Sequence, residues 1–342
     1  GLTLDNSQLS MKRGGGGALG SRLVLDGNVT VNGTTTSLIT NDTSSGSGGT
    51  VEVQLSSTAA AAARDFNIAA GAGLTIEIEV SDGASTAGSV SKSGSGILTL
   101  SGDNTYTGTT SVNNGVLRVD GTHVGADDYS VSATGILDGT GTITLASGKT
   151  VASTGGGSIA PGDGGIGALT IESDDTDSTT APNTVTLGGD FDFQINGNTS
   201  SDLLKVNGTV TLGGNLDLEE LTAGLNSVTA GSTILLIDND GTTDAVNGIF
   251  TGLPEGSVVT DDDGDKYIIS YTGGDGNDVV LFAGEAETNI ALDASGNLVI
   301  SDINNESDNN IVVTFDSAAG EYTITDAGFI ISTNGIDSAD VR

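Results

Sequence analysis

Two acidic, glycine-rich stretches carry the residue types best suited to chemistry in this chain: Asp261-Asp262-Asp263-Gly264-Asp265 and Gly273-Gly274-Asp275-Gly276-Asn277-Asp278. Calcium takes six to eight hard oxygens from carboxylates and carbonyls, which such turns supply. Asp261, Asp263, Asp265, Asp275 and Asp278 are therefore the candidate calcium ligands. Asp238-Asn239-Asp240-Gly241 is a third stretch of the same kind. Asp, Asn and Gly are also the ordinary residues of tight turns, and a solvated turn is the preferred reading for all three. Catalytic constellations are scarcer. The sole histidine, His123, falls in the turn-like stretch Gly121-Thr122-His123-Val124-Gly125, and cysteine is absent, which removes nucleophilic triads and zinc sites. Glycoside hydrolysis needs only two carboxylates, so Asp190/Asp192, Asp127/Asp128 and Glu219/Glu220 come into view. With 45 acidic residues such pairs arise by chance, and no basic cluster stands ready for an acidic sugar. Gly162-Asp163-Gly164-Gly165-Ile166-Gly167 fits the dinucleotide-binding glycine pattern formally, but no helix follows to hold a pyrophosphate. The chain reads as non-enzymatic, with no cofactor beyond the candidate calcium.

The elements that position these residues must be built from an unusual composition. Glycine occurs 54 times in 342 residues, proline 3 times and tryptophan never, while hydrophobic residues make up 35% of the chain. That suits a thin, continuous, repetitive core better than a thick globular one. The formal net charge is −35, and the ten basic residues are scattered singly apart from Lys12-Arg13. Nucleic acids and anionic membrane surfaces are excluded as partners, because binding them requires clustered Lys and Arg. No stretch approaches the roughly 20 apolar residues of a membrane-spanning helix.

Short β-branched runs alternate with Gly, Asn, Asp, Ser and Thr clusters along the chain. Strands are predicted at Leu23–Leu25, Val29–Val31, Val51–Leu55, Leu74–Val80, Ile97–Leu100, Val116–Val119, Ile143–Leu145 and Leu169–Ile171. The series continues through Val185–Leu187, Phe191–Ile195, Val210–Leu212, Leu216–Leu218, Ile234–Ile237, Tyr267–Tyr271 and Val279–Phe282. Ala59–Ala63 alone has a helix-like composition. Thr209-Val210-Thr211-Leu212-Gly213-Gly214-Asn215-Leu216-Asp217-Leu218 nearly repeats Thr184-Val185-Thr186-Leu187-Gly188-Gly189-Asp190-Phe191-Asp192-Phe193 twenty-five residues earlier. Such a period predicts one strand-bearing coil stacked on the next, with about a dozen coils making a rod roughly 60 Å long. Alternation predicts Asp190 and Asp192 toward solvent and Phe191 and Phe193 inside; Tyr106 and Tyr129, in turn-rich contexts, are the aromatics expected to meet a ligand.

Family-level resemblance lies in Ser93-Gly94-Ser95-Gly96-Ile97-Leu98-Thr99-Leu100-Ser101-Gly102-Asp103-Asn104-Thr105-Tyr106-Thr107-Gly108-Thr109-Thr110 and Val112-Asn113-Asn114-Gly115-Val116-Leu117-Arg118-Val119. These phrases resemble the autotransporter-associated β-strand repeat, and similarity continues through Ile159-Ala160-Pro161-Gly162 and Gly248-Ile249-Phe250-Thr251-Gly252-Leu253-Pro254, over about residues 88–283. The resemblance implies an all-β chain folded as a right-handed parallel β-helix, exported to the bacterial cell surface, with no catalytic residues to transfer. Gly273–Leu281 is similar to one RTX calcium nonapeptide, whose ions are shared between successive copies; a single copy favours the solvated turn. Ile290–Asp302 is similar to the opening of modules in long bacterial surface proteins.

Three units follow: coils over 1–87, the autotransporter-repeat-like β-helix over 88–284, and a second β-rich module over 285–342. The chain opens and stops in mid-pattern, which predicts a piece of a longer precursor with uncapped coil edges. Uncapped edges present unpaired backbone groups, so end-to-end or lateral self-association into a filament or surface layer is expected. An adhesin stalk binding carbohydrate or a surface protein, and a polysaccharide-active β-helix enzyme, are the alternatives.

Overall fold

The computed structural model describes residues 1–12, 20–42, 50–56, 63–83, 87–173, 184–197, 200–221, 232–240, 244–284, 286–292, 298–302, 311–316, 321–326 and 330–332. Every regular element among them is a strand. Most of the helix-like Ala59–Ala63 segment lies outside the described residues. No helix among the described residues is long and apolar enough to cross a membrane.

Val, Leu and Ile at alternate positions put one face of each short strand inward, and the Gly, Asn and Asp clusters between strands let the chain turn corners. Three columns of parallel strands result. The first runs through Leu2–Asp5, Val29–Asn32, Ala63–Ile68, Ser89–Ser93, the start of Thr110–Val119, the start of Tyr129–Gly139, Thr150–Thr154, Thr184–Leu187, Thr209–Leu212 and Val246–Gly248. The second runs through Gln8–Lys12, Thr36–Asp42, Gly73–Ile76, Ile97–Leu100, the ends of the two long strands, Ser158–Pro161, Asp190–Asn196 and Leu216–Glu220. The third comprises Ser21–Val24, Val51–Gln54 and Glu79–Ser81, and then Asp103–Asn104, Thr122–Ala126, Thr142–Leu145, Ala168–Ser173, Leu203–Val206 and Thr233–Asn239. The fold is the expected β-solenoid. Pairing runs without a break across residues 87 and 88, where Ala63 lies beside Ser89.

Repeat and register agree. Thr184 pairs with Thr209, and Phe191-Asp192-Phe193 lies beside Leu216-Asp217-Leu218. Coil length varies more widely than one period: Thr110 meets Tyr129, whereas Val29 meets Phe66. The stack is accordingly shorter than expected, at roughly 45 Å for ten tiers spaced by about 4.8 Å.

Leu98, Leu117, Leu137 and Ile159 form one inward column, each fully buried, and Phe191 continues it beside Ile159. Lys92 also points inward, between Phe66 and Val112, and its Nζ donates to the carbonyls of Ser93 (3.0 Å), Gly94 (2.7 Å) and Asn114 (2.9 Å) at the coil corner. Burial pulls this ammonium down to about 8, with Asp65 acting in the opposite direction.

Glycine is demanded where corners of successive coils touch. A Cβ on Gly121 would lie 2.1 Å from the Gly102 carbonyl oxygen, and one on Gly141 would lie 2.1 Å from the Gly121 oxygen. These neighbours are backbone and cannot step aside. Gly121→Ala is expected to lower the unfolding free energy by about 2 kcal/mol, read by urea denaturation. A wild-type midpoint would show that the corner has slack.

The far end of the coil stack is partly covered. Thr233–Asn239 pairs antiparallel with Asp278–Ala283, which pairs antiparallel with Lys266–Gly273, and that strand with Val258–Thr260. Tyr267–Tyr271 and Val279–Phe282, expected as further coils, instead form this antiparallel end piece. Its 261–265 loop reaches the second column: the Asp262 amide donates to the Leu218 carbonyl (3.3 Å), and Asp262 Oδ1 accepts from the Glu220 amide (2.9 Å). The expectation of an uncapped far end is corrected for the second and third columns, where this end piece satisfies backbone groups, whereas Val246–Gly248 of the first column pairs on one side only among the described residues. Further on, Ala286–Leu292 pairs with Leu298–Asp302 and Ile330–Ser332, and Ile311–Asp316 pairs with Glu321–Asp326.

Candidate functional site

Polar groups concentrate in three places: an interior corner, a flank cleft and the antiparallel end. The interior corner holds the only histidine. His123 belongs to the strand Thr122–Ala126 and is fully buried, so its expected turn position is corrected. Its ring lies 3.9 Å from that of Tyr106, centroid to centroid. Nε2–H donates to the Tyr106 carbonyl at 2.6 Å, a partner that can only accept. Nδ1 then accepts from the Tyr129 hydroxyl. Tyr106 and Tyr129, expected to face a ligand, are both buried, because the turn-rich stretches around them are solenoid corners whose inward positions remain core. The Tyr106 hydroxyl is satisfied by Thr110 Oγ1 at 2.9 Å. Burial lowers the His123 pKa to about 4, opposed by the hydrogen bond to Tyr106 and the charge of Asp82. The imidazole is neutral and inaccessible, a structural group.

The flank cleft, of about 510 Å³, is lined in part by Asp138, Asp192, Asp202, Asp217 and Glu219. In-register stacking creates it: outward positions of successive coils align, so Arg118 lies beside Asp138 and Asp192 beside Asp217. Asp190 and Asp192 sit partly exposed, with Phe191 and Phe193 buried, as alternation predicts. Burial raises Asp138 to about 6 even though Arg118 grips it, Nη2 to Oδ2 at 2.7 Å and Nε to Oδ1 at 3.1 Å. Burial also raises Asp202 to about 6, while the backbone amides of Gln194 and Gly167, both at 2.9 Å, hold its carboxylate in the charged form. Asp192 is raised by burial, with a hydrogen bond from Ser158 opposing and the neighbouring acids adding to the rise. Raised carboxyls beside other carboxylates are the ingredients of general acid and base chemistry. Here Asp138 locks one coil to the next and Asp202 pins a hairpin to the 162–167 loop, so both are committed to the framework.

At the antiparallel end, Asp261 and Asp265 meet a residue that the spacing of acidic turns did not single out as a ligand, Glu220. Ligand oxygens of Glu220, Asp261 and Asp265 all lie within 4.8 Å of one another. Asp263 shares their loop, its amide donating to Asp261 Oδ1 at 3.1 Å. Asp275 and Asp278 lie apart, at the other end of the strand Lys266–Gly273, roughly 25 Å away along the chain. There, Asp278 Oδ1 accepts from the Asn239 amide (2.9 Å) and Oδ2 from the Asp275 amide (3.4 Å). The two acidic stretches thus lie as two separate loops, Asp261, Asp263 and Asp265 in one and Asp275 and Asp278 in the other. The register that pairs Ile195 with Glu220 is the signal that singles out Glu220: it places a carboxylate in an otherwise apolar inward row.

Comparison with known proteins adds one finding and one blank. None of the curated proteins compared matches the chain. A family model described as passenger-associated-transport-repeat matches residues 90–119, a shorter stretch than the 88–283 over which the phrases look alike. In the structure that stretch forms Ser89–Ser93, Ile97–Leu100, Asp103–Asn104 and Thr110–Val119, one circuit of the solenoid and the start of the next. Residues 90–119 thus carry a repeat of the kind found in autotransporter passengers, set in a long body of parallel strands, and that repeat family implies a secreted or surface protein.

Proposed function

We infer that the chain is a non-catalytic rod of the bacterial cell surface that associates with further copies of itself. The observation that carries this reading is an edge within the chain: Val246–Gly248, the last strand of the first column, pairs on one side only among the described residues and is largely exposed. A strand edge of this kind is a template for another chain. The antiparallel end piece restricts the geometry. Contact through this short edge joins one copy to the next, and longer assemblies also need contacts along the flank. The framework roles of Asp138 and Asp202 support a non-catalytic reading of the cleft.

Light scattering and negative-stain electron microscopy of the purified chain test the proposal. Paired rods, or rods aligned side by side with population rising with concentration, are expected. Isolated rods at high concentration would overturn self-association and leave the adhesin reading in its place.

A further inference from the structure

Glu220 closes the strand Leu216–Glu220, in which Leu216, Leu218 and Glu220 alternate inward. On the preceding coil the corresponding residues are Phe191, Phe193 and Ile195, all buried. An acid thus stands where an apolar side chain continues the core, only 6% exposed. Its Oε1 has no hydrogen-bond partner among the described residues. A buried carboxylate oxygen without a donor costs several kcal/mol unless a cation or proton meets it. The loop folded over it brings further negative charge: Asp261, itself 7% exposed, and Asp265, with Asp262 and Asp263 close by. Asp261 is already oriented, Oδ1 accepting from the Asp263 and Asp265 amides and Oδ2 from the Tyr267 hydroxyl at 2.8 Å.

The geometry assigns Glu220, Asp261 and Asp265 to a single calcium site that clamps the antiparallel end piece onto the last strand of the second column. Calcium binds oxygen at about 2.4 Å, so two ligands on opposite sides of one ion stand about 4.8 Å apart. The three carboxylates lie within that span, and water fills the remaining positions of a six- to eight-oxygen shell. The small, rigid octahedron of magnesium fits a loop-borne carboxylate trio less readily, so calcium is the favoured cation. Burial and the surrounding acids raise the Glu220 pKa, so a proton is the competing occupant.

Thermal unfolding of the full chain decides between them. Millimolar calcium chloride is expected to raise the midpoint by about 3 °C or more over EDTA, beyond any rise with sodium chloride of equal ionic strength. Glu220→Gln and Asp265→Asn should abolish the rise, and Asp275→Asn should keep it. A rise equal in sodium chloride, or retained by Glu220→Gln, overturns the site in favour of diffuse charge screening. Should Glu220→Gln stabilise the chain without calcium and calcium do nothing to the wild type, a proton is the occupant. Terbium gives a readout independent of variant folding, since Tyr267 touches Asp261 and can sensitise its emission. Calcium-displaceable emission of about one terbium per chain, reduced by Tyr267→Phe, is expected, and its absence overturns the site.

Discussion

Replacing His123 by leucine is expected to lower the unfolding free energy by about 3 kcal/mol near neutral pH, since it orphans two buried partners at roughly 1–3 kcal/mol each. The Tyr106 carbonyl loses its donor and the Tyr129 hydroxyl loses its acceptor. Neither can turn to water, because both tyrosines are buried. The pH dependence separates this role from simple packing. The folded pKa of about 4 lies below the ordinary 6.5, so the neutral ring is the form that the fold favours. A depressed folded pKa contributes stability that is present above the unfolded value and lost as pH falls towards the folded one. About 3 kcal/mol should disappear between pH 6.5 and 4, at 1.36 kcal/mol per pKa unit. Chemical denaturation at several pH values should show wild type and His123→Leu converging at the acid end. Parallel curves would mean that the imidazole is solvated and that Tyr106 and Tyr129 find other partners.

Much of this architecture is legible in the sequence, and the failures have a common physical origin. Alternation revealed the coil strands because inward and outward positions differ chemically at each step. The Thr184 and Thr209 phrases gave the register directly, since identical corners place identical strands side by side. Applied one residue past the quoted phrase, the same register sets Glu219 beside Gln194, and then Glu220 beside Ile195. Read as an adjacent pair, Glu219-Glu220 offers two carboxylates for glycoside hydrolysis, although its two side chains point to opposite faces of the strand. Tyr106 was harder to place. Thr, Gly and Asn flank it as in any exposed turn, yet a solenoid corner buries its inward residue against the coils above and below. The antiparallel end was hidden for a different reason. Tyr267–Tyr271 and Val279–Phe282 are as β-branched and aromatic as coil strands, and strand composition does not encode pairing direction.

Arg118→Met is expected to cost about 3–5 kcal/mol at neutral pH, the usual cost of removing one partner from a buried ion pair. The Arg118 side chain is 19% exposed and that of Asp138 9%, so the carboxylate left behind has little access to water. Asp120 and Asp163 add to its difficulty, because both push the Asp138 pKa upward and both interact favourably with Arg118. Even with its partner in place, Asp138 titrates at about 6 because burial outweighs the guanidinium. A raised folded pKa contributes stability that is complete below the unfolded value of 3.8 and is lost as pH rises through about 6. Acid therefore relieves this site while it strains His123, and the two can be told apart by variant. In Arg118→Met the abandoned carboxyl takes up a proton on acidification, so its deficit against wild type should shrink to about 1 kcal/mol near pH 5, the worth of an ordinary hydrogen bond. Adding Asp138→Leu to Arg118→Met should recover most of the loss at neutral pH, since an apolar pair of similar volume often replaces a buried ion pair at little cost. Denaturant midpoints at the two pH values are the measurement. A deficit that stays constant with pH, or a double variant no better than the single one, would mean that the methylenes of Arg118 rather than its charge hold the coils together.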